Sequence, residues 1–209
     1  MKNKINNRIL LIGYMGSGKT TVGKALSQLT DSRFIDMDKE IELIEKMPIR
    51  KIFMLFGEHE FRNKEAELLD KLCNITSAAD IMTGGKGAIE KMMDKASKYS
   101  AFENLKDDII VSCGGGIILD DLNCTILKDQ FTIFLDGDPK LLFERVKEDK
   151  SNERPNSFMD IEDENIRFSQ FLKRYESRRP LYEKSSKYTI NIDGKTPDEI
   201  AEEIIKKIN

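Results

Sequence analysis

The segment Gly13-Tyr14-Met15-Gly16-Ser17-Gly18-Lys19-Thr20 matches the phosphate-cradling pattern G-x-x-x-x-G-K-[ST] at every fixed position. The glycines let backbone N–H groups turn inward around an anion. A helix starting near Lys19 adds the positive end of its dipole. Lys19 brings a mobile cation to the outer phosphates, and the Thr20 hydroxyl is a ligand for magnesium. The pattern therefore predicts ATP held by Gly16, Ser17, Gly18, Lys19, Thr20 and Thr21, with Mg2+ beside it. A glycine-rich turn with a chance lysine is the bland alternative. The strand-like run before the segment and the helical pattern after it argue against that alternative.

A second metal partner is expected, and two aspartates end apolar runs. Asp36 follows Phe34-Ile35, and Asp136 follows Ile133-Phe134-Leu135. Asp136-Gly137-Asp138-Pro139 also reads as a turn into a helix, with Asp138 as N-cap and Pro139 in the first turn. The metal role goes to Asp36 and a structural role to Asp136. Asp38, two residues on, is a separate carboxylate that could accept a hydroxyl proton or hold a diol. Gly114-Gly115-Gly116 removes side chains, so backbone can approach a small ligand; a loop needing positive φ would explain any one of these glycines equally well. Arg62, Arg154 and Arg178 carry the planar fork that suits carboxylates and phosphates.

These residues must be positioned by something, and the hydrophobic pattern says what. Strand-like runs fall at 9–12, 34–35, 109–111, 132–135 and 188–192. Several are continuously apolar, as in a parallel sheet buried on both faces. Helical spacing lies between them. Val22, Leu26 and Leu29 share one face. Ile41, Ile44, Ile52, Phe53 and Phe56 mark further turns, interrupted at Pro48, and Leu141, Leu142 and Val146 mark another. In the last helix Thr196, Pro197 and Glu199 form a capping box ahead of a stripe of isoleucines. Strands alternating with helices predict an α/β fold, a three-layer α/β/α sandwich in a single domain over 1–209. In such sheets ligands sit beyond the carboxyl ends of the strands. The phosphate loop, Asp36-Met37-Asp38 and the glycine triplet all fall there. Residues 76–108 are polar and methionine-rich, and 148–159 read as a mobile loop around Arg154.

Composition narrows the partners. Lysines and arginines nearly balance acids, leaving a net charge of -3, so the broad basic field of a nucleic-acid binder is not expected. No apolar run approaches the ~20 residues of a membrane span, and the polar N-terminus is unlike a signal peptide. A cytoplasmic monomer is the expectation. Cys73, Cys113 and Cys124 show no metal-like spacing and read as reduced thiols. His59, the single histidine, reads as a solvated loop residue.

Taken together, these motifs resemble the shikimate kinases. The phosphate loop continues into Thr21-Val22-Gly23. The family's D-x-D falls on Asp36 and Asp38, and G-E-x-x-F-R runs from Gly57 to Arg62 with Glu65 following. The glycine triplet comes next, then Arg178 before Pro180-Leu181-Tyr182. The resemblance spans almost the whole chain in order. It implies a five-stranded parallel sheet of order 2-3-1-4-5, an acceptor-binding segment about 37–72, and a lid about 148–159. It implies that Arg62 and Arg178 meet the carboxylate of shikimate, and that Asp38 binds the ring hydroxyls, including the one phosphorylated. It also implies that Asp36 holds magnesium through water. Two departures stand out. Residues 76–108 look like an insertion, and the lid reads Arg154-Pro155-Asn156-Ser157 where the family has R-P-L-L. The rival readings are a kinase of another carboxylate-bearing polyol such as gluconate, and a nucleotide-binding module without turnover. A nucleoside monophosphate kinase is a weaker rival, because more lid arginines would be expected.

Overall fold

The computed structural model describes residues 8–73, 108–149 and 161–208. Arg154 with most of the expected lid, and all but Asp108 of the expected insertion, lie outside the described residues.

The apolar runs become strands β1 (Arg8–Ile12), β2 (Arg33–Asp36), β3 (Ile109–Ser112), β4 (Phe131–Asp136) and β5 (Tyr188–Asn191). They form one sheet of order β2-β3-β1-β4-β5, parallel throughout. The central strands are apolar on both faces because both faces are covered; Ile9 to Ile12 and Ile109 to Val111 are fully buried.

The helices are α1 (Lys19–Thr30), α2 (Met37–Glu45), α3 (Ile49–Cys73), α4 (Asp121–Asp129), α5 (Pro139–Glu148), α6 (Glu164–Ser185) and α7 (Pro197–Ile208). With the sheet they make the three-layer sandwich. α1 packs on α7, and α6 on α4 and α5. The expected capping box holds α7: Thr196 N–H donates to Glu199 at 2.7 Å, and Glu199 N–H to the Thr196 hydroxyl at 3.3 Å. Asp138 caps α5 by accepting from the N–H groups of Lys140 and Leu141.

The α1 stripe is Val22, Ala25 and Leu26, while Leu29 is 39% exposed at its edge. Phe56 is likewise 53% exposed, next to exposed Met54 and Leu55. α2 stops before Pro48, as expected, but α3 carries a second break. Gly57 sits at φ 80°, ψ 173°, splitting α3 into two helical stretches. His59 lies exposed on the second stretch rather than in a loop.

Candidate active site

Three strand ends and the loops beyond them open onto one cleft of about 1390 Å³. The phosphate loop leaves β1 and enters α1 through Gly18, whose φ of 77° is a left-handed value that a side chain resists. Lys19 folds back over the loop, its Nζ donating to the carbonyls of Gly13 at 2.9 Å and Tyr14 at 3.2 Å. Thr20 lies one residue further, and its hydroxyl donates to Asp36 Oδ2 at 2.7 Å. Asp36 ends β2, and its other oxygen caps α2 by accepting from Lys39 N–H at 3.4 Å. The same carboxylate thus orders the next helix and faces the Thr20 hydroxyl. Ser112, at the end of β3, is 3.5 Å from Thr20 Oγ1.

The other half of the cleft is built from α2, α3, the glycine triplet and α6. Asp38, in the first turn of α2, lines the cleft together with Arg62 of α3 and Arg178 of α6. Arg62 is gripped by two carboxylates. Its Nη2 meets Glu58 at 2.8 Å, and its Nη1 is ion-paired with the buried Glu65. Burial opposes the Arg62 charge, but Glu65 and Glu58 outweigh it and leave the guanidinium more firmly protonated than an exposed one. Arg178 lies over the Tyr14 ring, 5.8 Å from its centroid, a cation–π arrangement that ties α6 to the phosphate loop.

The glycine triplet serves close approach rather than unusual φ, since no member has the positive φ of Gly18. A Cβ on Gly114 would strike the Glu65 carboxylate, and one on Gly116 the Arg62 guanidinium. Gly115 and Gly116 line the cleft. Tyr182 of α6 donates its hydroxyl to the Gly115 carbonyl at 2.5 Å, fastening the triplet to α6.

Of the residues expected on sequence grounds, Gly16, Gly18, Lys19, Thr20 and Thr21 face the cleft on the phosphate side. Asp36, Asp38, Arg62, Gly115, Gly116 and Arg178 face it on the other. Ser17 is buried beneath the loop, and Gly114 backs onto Glu65. Three cleft arginines lie outside the sequence reading: Arg50 at the start of α3, Arg145 and Arg174. Arg174 is one helical turn before Arg178, a spacing that could have flagged it. Arg145 reaches Gly16 O at 3.5 Å from α5, and nothing local announces that contact. Asp136, as expected, takes a structural role: it accepts from Tyr175 at 2.7 Å and from Arg179 at 2.9 Å.

Thr20 and Asp36 fit a hard divalent ion. Both offer oxygen, and they meet beside the phosphate loop. No cluster of three metal-ligating side chains occurs among the described residues. Magnesium keeps several waters and takes much of its coordination from phosphates, so two protein oxygens suffice for it. The three cysteines are free thiols. Burial pushes the Cys73 thiol up to about 12 and raises the cleft-side Cys113 as well. No helix among the described residues is long and apolar enough to cross a membrane.

Comparison with known proteins agrees with this geometry. A protein-family model described as shikimate kinase matches residues 15–98 and 96–209. The shikimate kinase of Thermodesulfovibrio yellowstonii is 32% identical over 95% of this chain and 93% of its own. A bifunctional shikimate kinase/3-dehydroquinate synthase of Thermotoga maritima is 38% identical over 66% of this chain; the match spans 22% of that longer protein. Among solved structures, shikimate kinase from Acinetobacter baumannii in complex with shikimate superposes with a TM-score of 0.72. It is 27% identical, and the match covers 97% of this chain and 92% of that one. A gluconokinase from Sinorhizobium meliloti reaches a TM-score of 0.52 at 16% identity, a likeness of fold alone.

Proposed function

This chain belongs to the shikimate kinase family, and on that premise we propose that its cleft transfers the terminal phosphoryl group of ATP to the 3-hydroxyl of shikimate. The observation that carries the reading is the convergence of Asp38, Arg62 and Arg178 on the cleft that the phosphate loop enters. A ring acid with adjacent hydroxyls needs that combination: arginine forks for its carboxylate and a carboxylate for its hydroxyls.

In the proposed reaction the loop N–H groups and the α1 dipole hold the nucleotide phosphates. Lys19 exchanges its two loop carbonyls for phosphate oxygens, which its flexible stem permits. Magnesium, when bound at Thr20 and Asp36, neutralises phosphate charge. Arg62 and Arg178 orient the acceptor through its carboxylate. Asp38 accepts the proton of the attacking hydroxyl as the new O–P bond forms and the bond to ADP breaks. Arg154 keeps its assignment to the phosphates on sequence grounds. The reading that the chain acts on gluconate has only a fold-level likeness behind it. A binding module without turnover gives no reason for Asp38 to share the cleft with Lys19. An acceptor panel with product identification tests the proposal.

A further inference from the structure

Asp136 follows an apolar run as a metal-directed aspartate would, yet it ends β4 and both of its oxygens are turned to α6. Oδ1 accepts from Tyr175 and Oδ2 from Arg179 Nε, at 2.7 and 2.9 Å. Tyr175 and Arg179 are one helical turn apart, and Arg178 lies on that same turn. The next residue is Pro180, inside the helix. Proline has no N–H, so the Glu176 carbonyl loses its partner in the helix, and the ring crowds it. The turn that carries Arg178 is therefore the turn whose own hydrogen bonding is weakest. An external brace spans it on both sides of the proline. Arg179 also pairs with Glu183 at 2.9 Å, and Tyr182 is tied to Gly115.

The brace is rooted in the sheet. Asp136 ends β4, is buried, and neighbours the strand that delivers the phosphate loop. Tyr175 also stands edge-on to Tyr14 at 5.8 Å between centroids, and Tyr14 is the ring beneath Arg178. We propose that Asp136, through Tyr175 and Arg179, is a positioning residue that holds Arg178 at a fixed offset from the phosphate loop and so sets recognition of the acceptor carboxylate. The inference rests on the assignment of Arg178 to that carboxylate.

The test is steady-state kinetics with both substrates varied, on Asp136→Asn, Arg179→Gln, Arg179→Lys and Tyr175→Phe, each alone and with Arg178→Ala. Asp136→Asn removes the charge that Tyr175 and Arg179 both meet, and Arg179→Gln removes the ion pairs with Asp136 and Glu183, so the shikimate KM is expected to rise roughly tenfold. ATP KM and kcat are expected to stay within about twofold, since none of the substituted groups hydrogen-bonds to the phosphate loop. Tyr175→Phe, the mildest change to packing, raises the shikimate KM less, and Arg179→Lys recovers part of the loss. In the Arg178→Ala background none of them adds to the shikimate KM, because the group they position is gone. A merely structural role would lower the melting temperature and disturb both substrates alike, and that result overturns the inference. An equal rise in the shikimate KM with and without Arg178 overturns it too. An unchanged shikimate KM in Arg178→Ala alone removes the assignment of Arg178 itself, and the inference falls with it.

Discussion

The Thr20 hydroxyl, at the start of α1, lies 2.7 Å from the Asp36 carboxylate at the end of β2. Two loops from different strands are thereby locked together beside the phosphate loop. Asp36 is also the N-cap of α2, so one side chain links the nucleotide half of the cleft to the helix that carries Asp38.

Those two roles can be separated. Asparagine caps a helix as well as aspartate but lacks the charge that favours a divalent ion. Asp36→Asn is expected to keep its melting temperature while turnover falls at least about tenfold. The magnesium concentration for half-maximal rate should rise. Titration of rate against magnesium checks this. Unchanged magnesium dependence would remove Asp36 from the metal site.

Arg62 and Arg178, both proposed to meet the acceptor carboxylate, are expected to differ in what their loss costs. Each replacement by alanine should raise the shikimate KM much more than the ATP KM, since a bidentate contact is lost. Arg62 also neutralises Glu65, a carboxylate with 1% exposure. Arg62→Ala should therefore lower the melting temperature, and adding Glu65→Gln should restore part of it. Arg178→Ala should leave stability nearly unchanged. Thermal melts beside two-substrate kinetics separate the effects.

The α7 cap gives a pH-dependent prediction. Hydrogen bonds from Thr196 hold the Glu199 carboxyl below the usual range in the folded chain. A depressed folded value means the stabilisation is present above the unfolded carboxylate range and lost as pH falls through the folded one. Thr196→Ala, which keeps the backbone N–H but loses the hydroxyl, should lower stability at neutral pH. Denaturant unfolding of both proteins at neutral and acid pH should show the difference shrinking on acidification. A constant difference would assign the stabilisation to the Thr196 hydroxyl alone.

Much of this architecture is legible in the chain because it depends on local spacing. The strands are short apolar runs, and the phosphate loop and α7 cap are contiguous motifs. Asp38 and Arg62 stand at fixed places within motifs. What was not legible depends on contacts between distant segments. Arg145 reaches Gly16 across 129 positions, and Arg179 reaches Asp136 across 43. The glycine triplet is a mixed case. Its glycines suggested close approach, but only the fold shows that the approaching groups include Glu65 and Arg62. Gly57 likewise sits inside a recognisable motif, yet its φ of 80° splits a helix that periodicity alone would draw as continuous.

This cleft is expected to phosphorylate shikimate. The most direct measurement is ADP release from ATP and magnesium with shikimate, with gluconate and with no acceptor, and with the phosphorylated product identified by phosphorus NMR. ADP should appear only with shikimate, in equal amount to shikimate 3-phosphate, with gluconate at background. Faster turnover of gluconate, or tight ATP binding with no acceptor-dependent ADP release, would contradict the account.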